Sequence, residues 1–427
     1  MKFNYLQSTT TKGALATLMV AALAGPVFAQ EKTVTIMSSI SGEDGQKLQA
    51  AFDQFTEQTG IVVRHEGLGD FETQIFTRVE SGNAPDLVLY PQSGTMLAVD
   101  EIQPHVDLND VLDMAYVEEK FPASLLDMTN LPDRRPGFAF WGLVNSSIFY
   151  RKDVFADEGY SIPDTWEGLL ALTDEMKADG YTPWCVAMES SAATGWIGAD
   201  WVMDMILAMY PPEVYEGWTT NEIKFSDPRI KAAFEEVGKI LLDNDAVFGG
   251  SDRMLSTPWD QQSTPMFLDE PNCVISHIPT FGISVFPEPY NKTPSDVLGQ
   301  FLFPKADTEL PDMLVSNSDF VGILNDTPEA REFARFLTQP EALKPFLESG
   351  AGFLAINADT DPAWYPVDMI GKHAEWFANT PTVRDNAVDQ FPPQAQLATW
   401  GGIARWIEQG GEGLDEILAE IDASFAN

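Results

Sequence analysis

The stretch Asp86-Leu-Val-Leu-Tyr90 decides the fold class, because a short and nearly continuous apolar run is typical of a parallel β-strand covered on both faces. Upstream of it, the segments Thr33 to Met37 and Ile61 to His65 have the β-branched composition of strands. Between these runs, Gly45 to Thr59 and about Phe71 to Ser81 carry apolar residues at helical spacing. This order predicts a doubly wound α/β lobe, whose ligands lie beyond the carboxyl ends of its strands.

A second alternating block follows this lobe. The segment Leu143 to Tyr150 is strand-like, and Cys273 to His277 has the pattern of another buried strand. Helices are predicted near 165–179, 198–210 and 227–244. Near Met313 to Leu324 the pattern predicts a strand pair that returns to the first lobe, and from Asp361 onward the chain is predicted to be helical.

The N-terminus has the pattern of a secretory signal peptide over residues 1–29. Lys2 and Lys12 precede an apolar run from Gly13 to Ala24, and the small-residue cleavage pattern ends at Ala29. The apolar run is too short for a membrane anchor, and no cysteine follows the cleavage site to accept a lipid. We therefore expect a soluble, exported protein without a lipid anchor, most simply in a bacterial periplasm.

The charge balance excludes some classes of partner. The 427 residues include 65 acidic and 25 basic side chains, for a formal net charge of −40. Nucleic acids and anionic membranes are poor partners for such a chain. Because the acids are scattered rather than blocked, they indicate a solvated acidic surface rather than an acidic binding tail.

The chain has two cysteines, Cys185 and Cys273. Export would place them where disulfides persist, so we expect a bond between them. Two buried free thiols are the main alternative. A catalytic or metal-binding role is less favoured, because neither a Cys-x-x-Cys motif nor a histidine-rich spacing accompanies them.

Residues 181–201 combine aromatic, small and acidic side chains in one short stretch. A pyranose ring offers an apolar face and a rim of hydroxyls, so its site needs flat side chains beneath and carboxylates or amides at the edge. Trp184, Trp196, Trp201, Glu189 and Asp200 are of these types. The alternative interpretation is that the three tryptophans are ordinary core residues.

Three groups of segments carry a resemblance to a known family: Phe71 to Gln92, Tyr150 to Phe155 with Pro163 to Trp166, and Asp179 to Trp201. The chain resembles the extracellular solute-binding proteins of ATP-driven sugar importers, the maltose-binding-like family, and most closely its α-glucoside-binding branch. The resemblance covers essentially the whole mature chain. It implies a two-lobed α/β fold of the type II periplasmic binding class, with a mainly parallel sheet flanked by helices in each lobe and a helical C-terminal region.

The resemblance also implies the lobe boundaries and the partners. Residues 30–147 and 302–358 would form the N-terminal lobe, residues 148–301 and 359–427 the C-terminal lobe, and the ligand cleft would lie between them. The expected protein is a monomer without cofactor or metal. It would bind a small carbohydrate, such as an α-glucoside or small oligosaccharide, and deliver it unchanged to the permease subunits of an ABC transporter in the inner membrane.

Carried onto matching positions, the resemblance gives a set of expected ligand contacts. They are Glu43, Asp44, Tyr90, Gln92, Trp141, Glu189, Trp196, Asp200, His277, Phe281, Asp319, Phe353 and Trp400. The late segment Arg384 to Pro392 departs from the usual run of this branch. That departure leaves Asp385 and Asp389 uncertain as contacts and leaves the identity of the sugar open.

A secreted glycoside hydrolase is the competing class, because many acidic residues offer possible carboxylate pairs. The chain has no Gly-x-Ser-x-Gly, His-Glu-x-x-His, Walker or dinucleotide-binding motif, and its four histidines are far apart in sequence. A metal-related carrier is the third class, but the wealth of tryptophan does not favour it. The sequence therefore favours a binding protein over an enzyme.

Overall fold

The computed structural model describes residues 32–425, and the predicted signal peptide lies outside these described residues. The first part of the chain alternates strands and helices: β1 (Thr33–Ser38), α1 (Gly42–Thr59), β2 (Val62–Gly67), α2 (Phe71–Glu80), β3 (Leu87–Tyr90), α3 (Ser93–Ile102), α4 (Met114–Lys120), α5 (Ala123–Asp127) and β4 (Gly137–Val144). The middle part is richer in helix: β5 (Ser147–Arg151), α6 (Lys152–Glu158), α7 (Trp166–Ala178), α8 (Trp196–Met209), α9 (Pro212–Thr219), α10 (Pro228–Leu241), α11 (Gly250–Ser256), β6 (Ile275–His277) and β7 (Leu298–Leu302). The last part returns to the first sheet and ends in helices: β8 (Met313–Ile323), α12 (Pro328–Leu337), α13 (Lys344–Glu348), β9 (Leu354–Ala355), α14 (Asp368–Asn379), β10 (Thr382–Asp385), α15 (Pro393–Glu408) and α16 (Leu414–Ser424).

The larger sheet has the order β2-β1-β3-β8-β4-β9, and β10 pairs with β8 beside this path. Strand β1 is parallel to both β2 and β3, as the apolar run at β3 predicts. Strand β8 lies between β3 and β4 and is antiparallel to both. The doubly wound arrangement of the first three strands is therefore confirmed, within a sheet of mixed direction.

The smaller sheet corrects one detail of the expected architecture. Its order is β6-β5-β7, and both pairings are antiparallel, so the expectation of a mainly parallel sheet in each lobe is wrong here. A continuous apolar run indicates burial on both faces and does not by itself fix strand direction. Strand β5 is almost wholly buried, and β6 pairs with it in the antiparallel sense although six α-helices, α6 to α11, lie between the two strands in the chain.

Two strand predictions were wrong near the junction of the sheets. The predicted strand Leu143 to Tyr150 is the end of β4 and most of β5, interrupted at Asn145 and Ser146. The predicted strand pair at 313–324 is one long strand, β8. Its central serines resemble a turn in sequence, but Ser316 and Ser318 both donate hydrogen bonds to Asp385 Oδ1, at 2.9 and 3.0 Å. This bonding keeps the polar residues inside the strand.

The buried apolar side chains form two clusters. The first cluster draws on residues 34–143 and 320–356. The second cluster draws on residues 144–315 and 367–421, together with Leu354. Cores that are separate in this way fit the expected two-lobed class, in which helices cover each sheet.

The predicted bond between Cys185 and Cys273 is present and lies within the second cluster, with the two Cα atoms 5.3 Å apart. It ties the segment after α7 to the start of β6, where Cys185 N also donates to Ile275 O at 2.8 Å.

Among residues 32–425, no helix has the length and apolar character needed to cross a bilayer.

Candidate functional site

A cavity of about 460 Å³ lies where the two clusters meet. Its lining includes the loop after β1, at Ser39 to Ser41, and the loop after β3, at Pro91 and Gln92. These are the carboxyl ends of parallel strands, where ligands of such sheets are expected. Its volume lies within the range of roughly 300–1,000 Å³ that is usual for small-molecule sites.

Most of the expected contacts line this cavity. They are Asp44, Gln92, Trp196, Asp200, Phe281, Asp319, Phe353 and Trp400. These residues come from both halves of the chain and from loops, strands and helices, so their convergence follows from the fold. Their contact with a ligand stays a prediction.

Helix α8 positions two of these side chains. Trp196 and Asp200 are four residues apart and therefore lie on one face of the helix. The helix begins after Gly195, whose φ of 110° favours glycine. A Cβ at Gly195 would lie 2.2 Å from the backbone oxygen of Trp400, so only glycine allows α8 to start this close to α15.

Several expected contacts lie outside the lining. Tyr90 is fully buried, and its hydroxyl is 2.9 Å from His105 Nε2. Trp141 is also fully buried and stacks on Phe346, with ring centroids 5.2 Å apart. The structure does not bring these two side chains to the cavity.

The other contacts outside the lining have different surroundings. Glu43 is exposed on α1, 3.3 Å from Lys47. One carboxylate oxygen of Glu189 accepts a hydrogen bond from the backbone N–H of Ser191 at 3.0 Å. His277 is buried, and its Nε2 is 2.8 Å from Asp204 Oδ2. These three residues are likewise absent from the cavity lining.

Sequence reasoning missed Trp259 and three asparagines, Asn145, Asn317 and Asn386, all of which line the cavity. Trp259 begins a three-residue 3-10 helix after Pro258, in the connection between α11 and β6. A tryptophan in a connecting segment is a usable signal, because such segments often carry binding residues. The asparagines gave no such signal, since isolated asparagines are common in turns.

Aromatic rings form one wall of the cavity. Trp196 and Trp259 meet edge to face, with centroids 5.6 Å apart, and Phe281 lies 5.9 Å from Trp196. Phe353 stacks parallel to Phe281 at 6.4 Å. The two tryptophans pack against the second cluster and the two phenylalanines against the first, so the wall joins the two cores. By contrast, Trp184 and Trp201 of the same sequence stretch are fully buried core residues.

Three buried carboxyl groups face the cavity from different segments: Asp200 on α8, Asp319 on β8 and Asp389 in the turn before α15. Burial raises the pKa of Asp319 to about 7. Burial, followed by repulsion from neighbouring carboxylates, raises the pKa of Asp200 and of Asp389 well above the usual range. Near neutral pH these groups therefore hold protons that an exposed aspartate would release.

Beneath these groups, a buried hydrogen-bond network joins α8 to the segment that crosses between the sheets. Ser146 Oγ donates to Asp204 Oδ1, and His277 lies against the other oxygen of that carboxylate. Ser146 Oγ also accepts the backbone N–H of Val315 at 2.8 Å. The network fixes α8 relative to β8, and thereby fixes the cavity residues that each element carries.

A larger cavity, of about 1170 Å³, lies against the opposite face of β8. Ser316 lines it, whereas Asn317 and Asp319 line the smaller one, as the alternation of side chains along a strand requires. None of the expected contacts lines the larger cavity. The smaller cavity is therefore the candidate site.

The described residues contain no cluster of three or more potential metal ligands.

Comparison with known proteins agrees with this geometry. Residues 39–344 match the family model described as bacterial extracellular solute-binding protein. The osmoprotective compounds-binding protein GgtB of Synechocystis sp. is 31% identical over 395 residues, which cover 92% of each chain. The alpha-glucosides-binding periplasmic protein AglE of Rhizobium meliloti is 28% identical over 404 residues, covering 92% of this chain and 87% of AglE.

Solved structures share the fold at lower identity. The bacterial solute receptor AcbH superposes with a TM-score of 0.76 at 17% identity, over 92% of this chain and 97% of the receptor. The solute-binding protein RafE in complex with raffinose gives a TM-score of 0.70 at 18% identity, over 92% and 98% of the two chains. The two cores that meet at the cavity, the shared fold and the family match over most of the chain all support one assignment. The protein belongs to the bacterial extracellular solute-binding proteins, among the sugar-binding components of ABC transporters.

Proposed function

We propose that this protein captures an α-glucoside in the 460 Å³ cavity and delivers it to the permease of an ABC importer. The observation that carries the proposal is the meeting of aromatic faces and carboxyl groups in one cavity. The rings of Trp196, Trp259 and Phe281 offer flat apolar surfaces to the C–H face of a pyranose. The carboxyl and amide groups offer hydrogen-bond partners to its hydroxyls.

The relatives support the glucoside class in particular. AglE is described as binding alpha-glucosides and GgtB as binding osmoprotective compounds, and each aligns with 92% of this chain. A glucoside that serves as an osmoprotectant would satisfy both descriptions. The solved structures, at 17 and 18% identity, support the fold rather than a ligand.

Binding would proceed by closure of two lobes, residues 30–147 with 302–358 and residues 148–301 with 359–427. The segment Val144 to Ser147 joins the two sheets, so it is a candidate hinge together with the part of β8 before Asp319. Asn145 N donates to Val315 O at 2.9 Å, and this bond holds the two candidate hinge segments side by side. A sugar that contacts both lobes would favour the closed state through its higher affinity for it.

A thermal-shift screen of the protein without residues 1–29 tests the proposal. The ligands would be trehalose, sucrose, maltose, glucosylglycerol, monosaccharides and divalent metals, since a compound that binds only the native state raises the melting temperature. We expect an upward shift with at least one α-glucoside, micromolar affinity by calorimetry, and recovery of the sugar unchanged. A cleaved product would favour a glycoside hydrolase, and no shift with any carbohydrate would refute the proposal.

A further inference from the structure

The lining of the candidate site is acidic and lacks a basic side chain. Among the described residues that line it, none is lysine, arginine or histidine, whereas Asp44, Glu72, Asp200, Asp319 and Asp389 are acidic. The two groups nearest the surface have partners: Asp44 lies 2.8 Å from Lys47 Nζ, and Glu72 accepts a long hydrogen bond from Gln92. The three interior carboxyls have no cationic partner of this kind.

Unpaired oxygen atoms face the same space. Asp200 and Asn145 are each only 2% exposed, and Asp200 Oδ2 and Asn145 Oδ1 have no hydrogen-bond partner. Both residues line the cavity. Asn145 Oδ1 is a buried acceptor without a partner, and Asp200 Oδ2 becomes one when its carboxyl releases a proton. A buried acceptor of this kind is unfavourable, so a bound ligand is stabilised if it brings hydrogen-bond donors to these atoms.

The interior carboxyls are close enough to repel one another, and their other neighbours do not neutralise them. Asp389 feels the charges of Asp385 and Asp319, and Asp200 feels those of Asp204 and Asp389. Asp204 is itself bonded to Ser146 and His277 on the side away from the cavity. The side-chain donors to Asp389 are neutral amides, Gln396 Nε2 at 2.9 Å and Asn317.

We propose that the preferred ligand of this cavity carries a positive charge, as an α-glucoside in which an amino group replaces a hydroxyl and contacts Asp200, Asp319 and Asp389. This inference rests on the proposed function, because it takes the cavity to be the glucoside site. An ammonium group offers three donors and no acceptor, which matches the unpaired oxygens. The aromatic wall is compatible with it, since cations are attracted to the faces of tryptophan and phenylalanine rings.

Matched sugars test the inference. The first pair is trehalose and trehalose with one hydroxyl replaced by an amino group, one position at a time, and each amine has its N-acetyl derivative as an uncharged control. If another α-glucoside binds better in the thermal-shift screen, its amino derivatives are compared in the same way. We expect at least one amine to bind roughly 10- to 100-fold more tightly than its parent, as for hydrogen bonds between charged groups, and acetylation to remove the gain.

Variants assign the gain to the carboxyls. Asp200→Asn and Asp319→Asn keep the shape of each side chain and should bring the ratio of amine to parent affinity close to one. Glu57→Gln makes the same carboxyl-to-amide change at an exposed position on α1 and should leave the ratio unchanged. Calorimetry of the unmutated protein in buffers of different ionisation enthalpy gives a second measure, since the ammonium should displace protons from these carboxyls.

The possible outcomes separate the two proposals. If α-glucosides bind and no amino derivative binds more tightly than its parent, the inference is overturned and the proposed function stands. A gain that persists unchanged in both aspartate variants overturns the assignment to these carboxyls. Absence of binding by every glucoside and every amine overturns both proposals.

Discussion

Asn145 Nδ2 donates a hydrogen bond to Asp200 Oδ1 at 3.1 Å, and this bond joins the segment between β4 and β5 to helix α8. The second oxygen of the same carboxyl, Oδ2, is buried without a partner. In Asp200, therefore, Oδ1 is bonded within the fold and Oδ2 is available to a ligand. Because the bonded segment is a candidate hinge, ligand contact at Asp200 would act directly where the lobes join.

We predict that Asp200→Asn separates binding from stability. Asparagine keeps an acceptor for Asn145 but removes a buried acidic group, so the melting temperature near neutral pH should be unchanged or higher. Affinity for the α-glucoside should fall roughly 10- to 100-fold, because an amide nitrogen in place of Oδ2 cannot accept a sugar hydroxyl, and a buried polar group left without its partner costs about 1–3 kcal/mol. Calorimetry and thermal unfolding measure the two effects. Unchanged affinity would remove Asp200 from the binding site.

A tryptophan pair on the same helix gives the second prediction. Trp196→Ala should weaken sugar binding at least about tenfold, because it removes one face of the aromatic wall. Trp196 is only partly buried, so its loss should affect the melting temperature less. Trp201→Ala should do the reverse, since Trp201 is fully buried against Trp184 with centroids 4.8 Å apart. Its truncation should reduce the free energy of unfolding by about 3–5 kcal/mol.

Both variants should be compared by titration of the folded protein and by chemical denaturation. If Trp196→Ala binds sugar as tightly as the unmutated protein, the aromatic wall does not contact the ring. If Trp201→Ala is as stable as Trp196→Ala, burial does not distinguish the roles of these residues.

The sequence predicts the first three strands of the larger sheet and the helices between them well, because β1, α1, β2, α2 and β3 each have an unambiguous pattern of apolar residues. It predicts the junction of the sheets poorly. There, Asn145, Ser146, Ser316 and Ser318 are polar but buried, and the groups that satisfy them are distant in sequence. A periodic pattern describes only which face of an element is apolar, so tertiary hydrogen bonds of this kind leave no signal in it.

The sequence predicted which types of residue line the candidate site better than it predicted which individual residues do so. Trp196 and Asp200 share a helical face and both line the cavity, as the composition of 181–201 indicates. Glu189 in the same stretch has the right chemistry, yet it lies outside the lining. Which member of such a stretch faces a ligand depends on how α8 packs against other elements, and that packing is fixed by long-range contacts.

The disulfide gives the third prediction. The Cys185→Ala/Cys273→Ala double variant should lose stability, because the bond closes a loop between residues 88 positions apart. Loss of a native disulfide typically lowers the free energy of unfolding by about 2–5 kcal/mol. Sugar affinity should change little, since neither cysteine lines the cavity. Reduction of the unmutated protein should reproduce both results, and labelling of both cysteines by iodoacetamide in unreduced, denatured protein would contradict the bond.

The fourth prediction concerns pH and Asp385. Burial raises the pKa of this carboxyl to about 8, whereas an aspartate in an unfolded chain has a pKa near 3.9. Below about pH 4 both states are protonated, so the group does not affect stability. Between about pH 4 and 8 the unfolded chain releases the proton and the folded chain keeps it, so stability falls as pH rises.

Asp385→Asn removes this titration and retains an oxygen to accept the hydroxyls of Ser316 and Ser318. The stability of the variant relative to the unmutated protein should therefore increase from about pH 4 to 8 and then level off, by at most about 1.4 kcal/mol per pH unit. Urea denaturation across this range measures the difference. Asp326→Asn is the control, because its hydrogen bond with Arg331 lowers the pKa of Asp326. The stability that this ionised group contributes is lost only below about pH 4, so the difference for this variant should stay constant from about pH 4 to 8. A constant difference for Asp385→Asn would mean that Asp385 is ionised in the folded protein throughout, and that some other group compensates its charge.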